Sequence, residues 1–231
     1  DCHELLNTLT YDRTYIIDLT GRTPEKIAAA MPKDGRRGVK RAERVAKEAG
    51  VVIKDETGMD RATFDEVYRV LEETSERDGF TPHSADVYWT MLTTLGEQAR
   101  MYVARLDGRP VAWVLVVVNG ISSVAYYGAS TTADRATRAA EATDWYAACD
   151  LAAKGYKGYD FMGAGSTRVP ELYSVGMYKK RFAQHPTEVD GAWDVPVQRP
   201  VFEALVAAKK AKHLVRKAAV VASKASEAIK R

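Results

Sequence analysis

The chain has 231 residues, 46% of them apolar and 28% charged, and a net charge of +3. That length allows a sizeable core and suits one large domain, and the balance is that of a folded protein rather than a disordered one. No run of 18 apolar residues occurs, which excludes a helix that spans a bilayer.

No secretory signal opens the chain. It starts at Asp1 rather than Met, which points to a trimmed or processed end over residues 1–13. Residues 14–19 are rich in β-formers and read as a strand. Thr23-Pro24-Glu25 opens a short helix to Met31, with Thr23 as N-cap and proline at the first helical position. From Gly35 to Ala49 a second helix places Val39, Ala42, Val45, Ala46 and Ala49 on one face and Arg37, Lys40, Arg41 and Arg44 on another. Val51–Lys54 follows as a strand. Thr63–Glu66 has the pattern of a capping box, starting a helix that stops at Gly79. Ser84 begins a helix carrying Tyr88, Met91, Leu92 and Leu95.

A β-meander comes next. Arg100–Leu106, Pro110–Val118 and Ile121–Gly128 are separated by Asp107-Gly108 and Asn119-Gly120, which are strong hairpin signals. A long helix is expected over 136–154, closed by Gly155. Tyr159–Gly163 reads as a short buried strand, Pro170–Phe182 as a helix, and Glu188–Val197 as a last extended segment. Arg199-Pro200 introduces a long basic helix. Residues 201–231 hold eight Lys/Arg against two Glu, a local charge of +6 that suits an anionic partner. The expected fold class is α/β (α+β): a mixed, mainly antiparallel sheet flanked by helices over residues 14–197, followed by the basic C-terminal helix over 198–231.

Cys2 and Cys149 read as free thiols of a reducing compartment. The four histidines show no ligand spacing, so no metal is expected, and the cytoplasm is the default location.

Five segments, in order, resemble the Fem family of aminoacyl-tRNA-dependent peptidyltransferases. They are Gly35–Ala42 with Gly50-Val51; Thr74–Phe80; Tyr126–Ser130; Trp145 and Ala152–Gly155 leading into Tyr159–Gly163; and Tyr178-Lys179-Lys180-Arg181-Phe182, which is close to the family's F-K-x-x-F. The resemblance implies the second GNAT-like acyltransferase domain of such a protein, without the first domain, as in a fragment or shortened relative. It also implies attack of an amine on the ester of aminoacyl-tRNA, with a peptidoglycan precursor stem peptide as acceptor. Aminoacyl-tRNA is then a co-substrate and no other cofactor is needed. Contact of the basic tail with the inner membrane face is a further expectation, beside tRNA binding or packing on a missing domain.

Catalysis of this kind needs a positioned amine and a cation or N–H donors for the developing oxyanion. Through the resemblance, Lys179 is the first candidate, with Asp160 to orient it or to receive the acceptor ammonium. Arg37 and Arg41 are phosphate-binding candidates, His83 a weaker phosphate donor, Lys180 a further substrate-binding candidate, and Tyr127 a substrate contact at the end of the meander. His83 stands where the family places an arginine, and Val87 where it places a tyrosine. Trp145 and Tyr146 read as core. Ser130–Arg138, before the long helix, has no glycine, which counts against the pyrophosphate loop of coenzyme A. Two other readings remain open: an N-acyltransferase, tRNA- or acyl-CoA-dependent, acting on a small metabolite, and a non-catalytic domain that binds tRNA or another anion.

Overall fold

In a computed structural model, residues 3–4, 11–190 and 193–212 are described. The chain divides into two compact units, Asp12–Val189, and Asp1–Tyr11 together with Asp190–Arg231. In the second of these, β1 (His3–Glu4) pairs antiparallel with β9 (Trp193–Asp194), and a helix, α7, runs over residues 199–212. The basic residues expected beyond 212, and Cys2, lie outside the described residues.

In the first unit the elements follow as β2 (Arg13–Asp18), α1 (Pro24–Ala30), α2 (Lys33–Glu48), β3 (Val52–Asp55), α3 (Arg61–Asp78), α4 (Ala85–Leu95), β4 (Ala99–Leu106), β5 (Arg109–Asn119), β6 (Ser122–Ser130), α5 (Ala139–Ala153), β7 (Gly158–Gly163), α6 (Tyr173–Lys179) and β8 (Thr187–Glu188). They build one seven-stranded sheet in the order β3-β4-β5-β6-β7-β2-β8. Every neighbouring pair is antiparallel except β6 and β7, which run parallel and are joined by the α5 crossover.

The sheet is buried on both faces. On one side Val114, Val116 and Val118 of β5 join α1, α5, Ile17, Tyr159 and Phe161 in a core cluster. On the other, Trp113 and Leu115 meet Phe64, Val67 and Leu71 of α3 and Tyr88 and Leu92 of α4. A strand covered on two faces needs apolar residues at every position, which is why Val111–Val118 shows no alternation. The β4–β5 turn is as its Asp-Gly demands: Asp107 and Gly108 sit at φ 51° and 82°, the left-handed pair whose twist matches a hairpin.

Several boundaries differ from the sequence reading. α3 starts a turn earlier, because the Asp60 carboxylate accepts from the Thr63 amide at 2.8 Å and takes the capping role expected of Thr63. The long helix starts at Ala139; Arg135–Thr137 form a 3-10 turn and Arg138, at φ 56°, breaks the run. Pro170–Leu172 is likewise a 3-10 turn ahead of the shorter α6. The extended segment expected over 188–197 is two two-residue strands that belong to different sheets. Tyr146 is not core: it keeps surface exposure and meets Tyr102 edge-on at 6.1 Å.

α2 packs through its glycines. A Cβ on Gly35 would lie 1.6 Å from the Arg181 carbonyl oxygen, and one on Gly38 2.9 Å from the Glu141 carboxylate. The helix therefore sits directly on the backbone that follows α6. Gly35→Ala is expected to destabilise the protein by about 3 kcal/mol or more, as backbone must move to admit the methyl group. Gly58→Ala, where a Cβ meets nothing within 4 Å, is expected to stay within about 0.5 kcal/mol of the parent. Urea denaturation of the two variants checks the contrast.

Candidate functional site

β6 and β7 pair only over Ser122–Val124 and Gly158–Asp160. Beyond that the strands part. β6 carries a bulge there: Leu115 pairs with Tyr127 and Val116 with Ala125, which leaves Tyr126 unpaired. A bulge bends its strand and re-aims side chains. Tyr126 turns to solvent and Tyr127 toward α4, where it meets Tyr88 edge-on at 4.7 Å and Tyr126 at 4.9 Å.

Lys179 ends α6 beside the end of β7. It is half-buried, and its ammonium donates to the Gly163 carbonyl at 2.7 Å. It forms no ion pair among the described residues. Burial pulls it down to about 8, a fall that Asp144 and then Asp160 oppose with their charge.

Asp160 does not hydrogen-bond to Lys179. Its carboxylate accepts from the Met162 amide at 2.6 Å and from the Thr14 hydroxyl, which also donates to the Met162 carbonyl at 2.9 Å. Met162 lies at φ 59°, a left-handed conformation that costs a side-chain-bearing residue about 1–2 kcal/mol. The β2–β7 register shifts at the same place. Asp160 and Thr14 thus hold the kink that ends β7 and presents the Gly163 carbonyl.

Asp144, which the sequence reading passed over, stands behind Lys179 on α5. One carboxylate oxygen accepts from the Tyr159 hydroxyl at 2.9 Å and the other from the Tyr178 hydroxyl at 2.6 Å. The residue keeps some exposed surface, yet its carboxylate is enclosed enough for burial to push it up to about 6, against the pull of both tyrosines and Lys179. Burial and the neighbouring carboxylate push both tyrosines well above their ordinary range. A signal for Asp144 did exist: α5 is apolar nearly all round, so its acids have to lie inside.

At the N-terminal end of α5 is a cavity of about 380 Å³ lined by Ser130, Thr131, Asp134, Arg135, Arg138 and Tyr178 among others. Buried Glu141 pairs there with Arg138, and with Arg181 at 3.7 Å. Asp134 holds Arg109 through two bonds of 2.7 and 2.8 Å and accepts from Thr131 at 2.7 Å, interactions led by Arg109 that keep its carboxyl below the usual range. Five backbone amides of this loop are engaged: Thr131 with Val111, Thr132 with the Glu73 carboxylate, Arg135 with Thr132, Thr137 with Asp134 and Arg138 with Arg135.

The other expected residues divide between places. Arg37 and Arg41 are exposed on α2, on the side away from Gly35, Val39 and Ala42. Lys180 caps α6 and is exposed. His83 is exposed ahead of α4, with its ring 6.1 Å from Tyr88 and its carbonyl accepting from the Tyr68 hydroxyl at 2.6 Å. Val87 is 47% exposed. Asp160 alternates with Tyr159 and Phe161, which pack toward α5, so it shares with Tyr127 the sheet face of α3 and α4. Among the described residues no cluster of three His, Cys, Asp or Glu is placed to hold a metal, and no helix is long and apolar enough to cross a membrane. Cys149 is a free thiol that burial pushes up to about 12.

A model of the acetyltransferase (GNAT) domain matches residues 33–180. Among solved structures, FemX superposes with a TM-score of 0.71 at 16% identity, over 86% of this chain and 65% of its own. The C-terminal domain (DUF2156) of a putative lysylphosphatidylglycerol synthetase from Agrobacterium fabrum gives 0.56 at 15% identity, over 79% of this chain and 58% of its own. L-PGS from Bacillus licheniformis gives 0.55 at 15%, over 84% and 63%. The chain therefore spans less than two thirds of each of these proteins, and the likeness is one of fold. No curated protein matches the sequence.

Asp160→Ala is expected to destabilise the protein by about 1–3 kcal/mol, by leaving the Met162 amide without its acceptor, and the Thr14 hydroxyl with the Met162 carbonyl alone, beside a strained backbone. Asp160→Asn keeps an acceptor oxygen and is expected to lose less than about 1 kcal/mol. Denaturant midpoints measured at pH 7 test the difference.

Proposed function

This chain belongs to the acetyltransferase (GNAT) domain family, and we propose that within that acyltransferase class it moves an aminoacyl group from aminoacyl-tRNA to the amine of a peptidoglycan precursor stem peptide. The observation that carries the proposal is Lys179: a half-buried ammonium beside the parting of β6 and β7, engaged by one backbone carbonyl and, among the described residues, by no carboxylate. A cation held that way is free to turn to a charge that develops in front of it.

In the proposed reaction the acceptor amine nitrogen attacks the ester carbonyl of the charged tRNA. The carbonyl oxygen becomes an oxyanion, which Lys179 stabilises. Collapse breaks the ester bond, the ribose hydroxyl leaves with a proton, and the amine loses its proton as the amide forms. Proximity supplies much of the acceleration, so the protein needs no covalent intermediate.

Support for a tRNA donor over coenzyme A comes from the loop before α5. Pyrophosphate binding at such a place uses free backbone N–H groups, and five of those in this loop are already bonded within the protein. The FemX likeness agrees with the Fem resemblance of the sequence, which implies a peptidoglycan acceptor, and the name of the putative lysylphosphatidylglycerol synthetase points to amino-acid transfer onto a lipid as a neighbouring chemistry. A cytoplasmic setting at the inner membrane face goes with either. A small-metabolite acceptor is the second reading. It is favoured by the exposed His83 and Val87, which leave the acceptor side near Tyr127 without the expected arginine and tyrosine.

Incubation with labelled aminoacyl-tRNA and a panel of amine acceptors tests this. Transfer is expected, with Lys179→Ala lowering its rate by roughly 10²–10³-fold, the loss typical of an oxyanion donor. The acceptor used decides between precursor and metabolite. Binding of tRNA with no turnover for any acceptor refutes the enzyme, and acetyl transfer from acetyl-CoA refutes the donor. Because Lys179 must be charged, the rate is expected to fall as pH rises through about 8.

A further inference from the structure

α6 has only seven residues and no side-chain bond at its N-cap, and a helix that short does not hold itself. Of the contacts that seat it, two set its placement. Gly176 lies against the backbone of Ala164 and Gly165, where a Cβ would come within 3.0 Å of the Gly165 amide nitrogen. The Tyr178 hydroxyl reaches across to Asp144 at 2.6 Å. The first sets how close the helix comes and the second sets its rotation. Successive helical residues are about 100° apart, so a helix turned to aim Tyr178 at α5 aims Lys179 to the side, where it meets the Gly163 carbonyl.

We propose that Asp144 is a positioning residue for Lys179 and acts through the hydroxyl of Tyr178. Its other tyrosine, Tyr159, lies on β7 and has no part in α6, so the two bonds to one carboxylate have different jobs. Tyr159 links the carboxylate to β7, and only Tyr178 links it to α6. Tyr178 is further held by Phe182 at 5.2 Å, by Phe161 at 6.1 Å and by the Arg181 guanidinium 5.3 Å over its ring. These contacts fix the ring but not the hydroxyl, and Phe at position 178 would keep them.

The charged and titratable groups around the pair are few. Asp144 is faced by Tyr159 from β7, by Tyr178 and Lys179 from α6 and by Glu141 along α5; Lys179 is faced by Asp144 and Asp160. Lys179 is enclosed only in this arrangement. A change that lets α6 turn brings its ammonium to water, and a change that removes only the Asp144 charge leaves it enclosed with less compensation. The two therefore move its titration in opposite directions.

The inference takes from the proposed function only that Lys179 is the working cation, and its test does not need turnover. The protein is labelled with lysine carrying 13C at Cε, the Lys179 signal is assigned with Lys179→Arg, and its titration is followed by NMR. In the parent the midpoint is expected near 8. In Tyr178→Phe it is expected to rise by about one pH unit or more, toward an exposed lysine. In Asp144→Asn, which keeps an oxygen for Tyr178 and loses the charge, it is expected to fall. In Tyr159→Phe it is expected to stay within about 0.3 of the parent, a margin set well below the effect of one lost enclosure. An unchanged midpoint in folded Tyr178→Phe, or equal shifts in Tyr178→Phe and Tyr159→Phe, overturns the proposal and leaves Asp144 as a core clamp. Should Tyr178→Phe not fold, the direction of the Asp144→Asn shift decides: a rise contradicts the inference. Where transfer is detected, Tyr178→Phe is also expected to lower kcat about 10-fold with KM for the charged tRNA unchanged. Absence of transfer in the parent refutes the function and not this inference.

Discussion

The arrangement depends on β6 and β7 staying together for three residues and then parting. Parallel strands require a crossover, and α5 supplies it, lying against the same sheet whose strands it connects. Where the strands separate, neither can satisfy the other, so each end is finished by its own device. β6 uses the bulge at Tyr126 and then hands Ser130 to Thr74 and Arg77 of α3. β7 uses Asp160, Thr14 and a left-handed Met162. The opening is thus bounded by an aromatic edge on one side and a kinked carbonyl on the other, and Lys179 is fastened to the second.

Burial governs the electrostatics of this region more than pairing does. For Lys179 and Asp144 the loss of water is the largest effect, and it drives both toward neutrality, the lysine downward and the acid upward. Their mutual attraction and the tyrosine hydroxyls recover part of that loss. Glu141 is treated differently, with Arg138 and Arg181 both within ion-pair distance. The same α5 therefore carries one acid matched by cations and, a turn on, one matched by phenols. The glycines of α2 belong to this scheme. Gly35 and Gly38 let that helix close over Arg181 and Glu141, so a segment that resembles a family motif earns its glycines by packing while its arginines point to solvent.

Much of the fold could be read from local pattern because local chemistry decides it. The Asp107-Gly108 hairpin, the Gly79 stop at φ 73° and the two-face burial of β5 are each written within a few residues. The start of α5 could not be read that way. Arg138 breaks the helix where the preceding loop is tied down by Arg109 and Glu73, which lie 25 and 59 residues from their partners. Of the candidate site, Lys179 is marked in the sequence by its motif, and Asp160, expected to orient it or to receive an ammonium, bonds instead to the Thr14 hydroxyl and the Met162 amide. The enclosure of Asp144 had a signal in the apolar character of α5, but its role did not, because that depends on two tyrosines 15 and 34 residues further along the chain. Arg37 and Arg41 show the converse: a motif marks them, and the helix face they occupy leaves them exposed.

The values near 6 for Asp144 and near 8 for Lys179 bound a window in which both groups are charged. Below it the carboxyl gains a proton and gives Lys179 less support; above it the ammonium loses its own. Each charge is the other's compensation, since the charged acid opposes the fall of the lysine and the charged lysine opposes the rise of the acid. Tyr178 touches both, by a hydrogen bond to the acid and by the peptide bond to the lysine. An enclosed cation that must meet a transient negative charge needs such a counterweight close enough to keep it protonated and far enough not to neutralise it. A carboxylate that accepts from one phenol at each oxygen meets both conditions, as the phenols hold it in place and its charge is still felt.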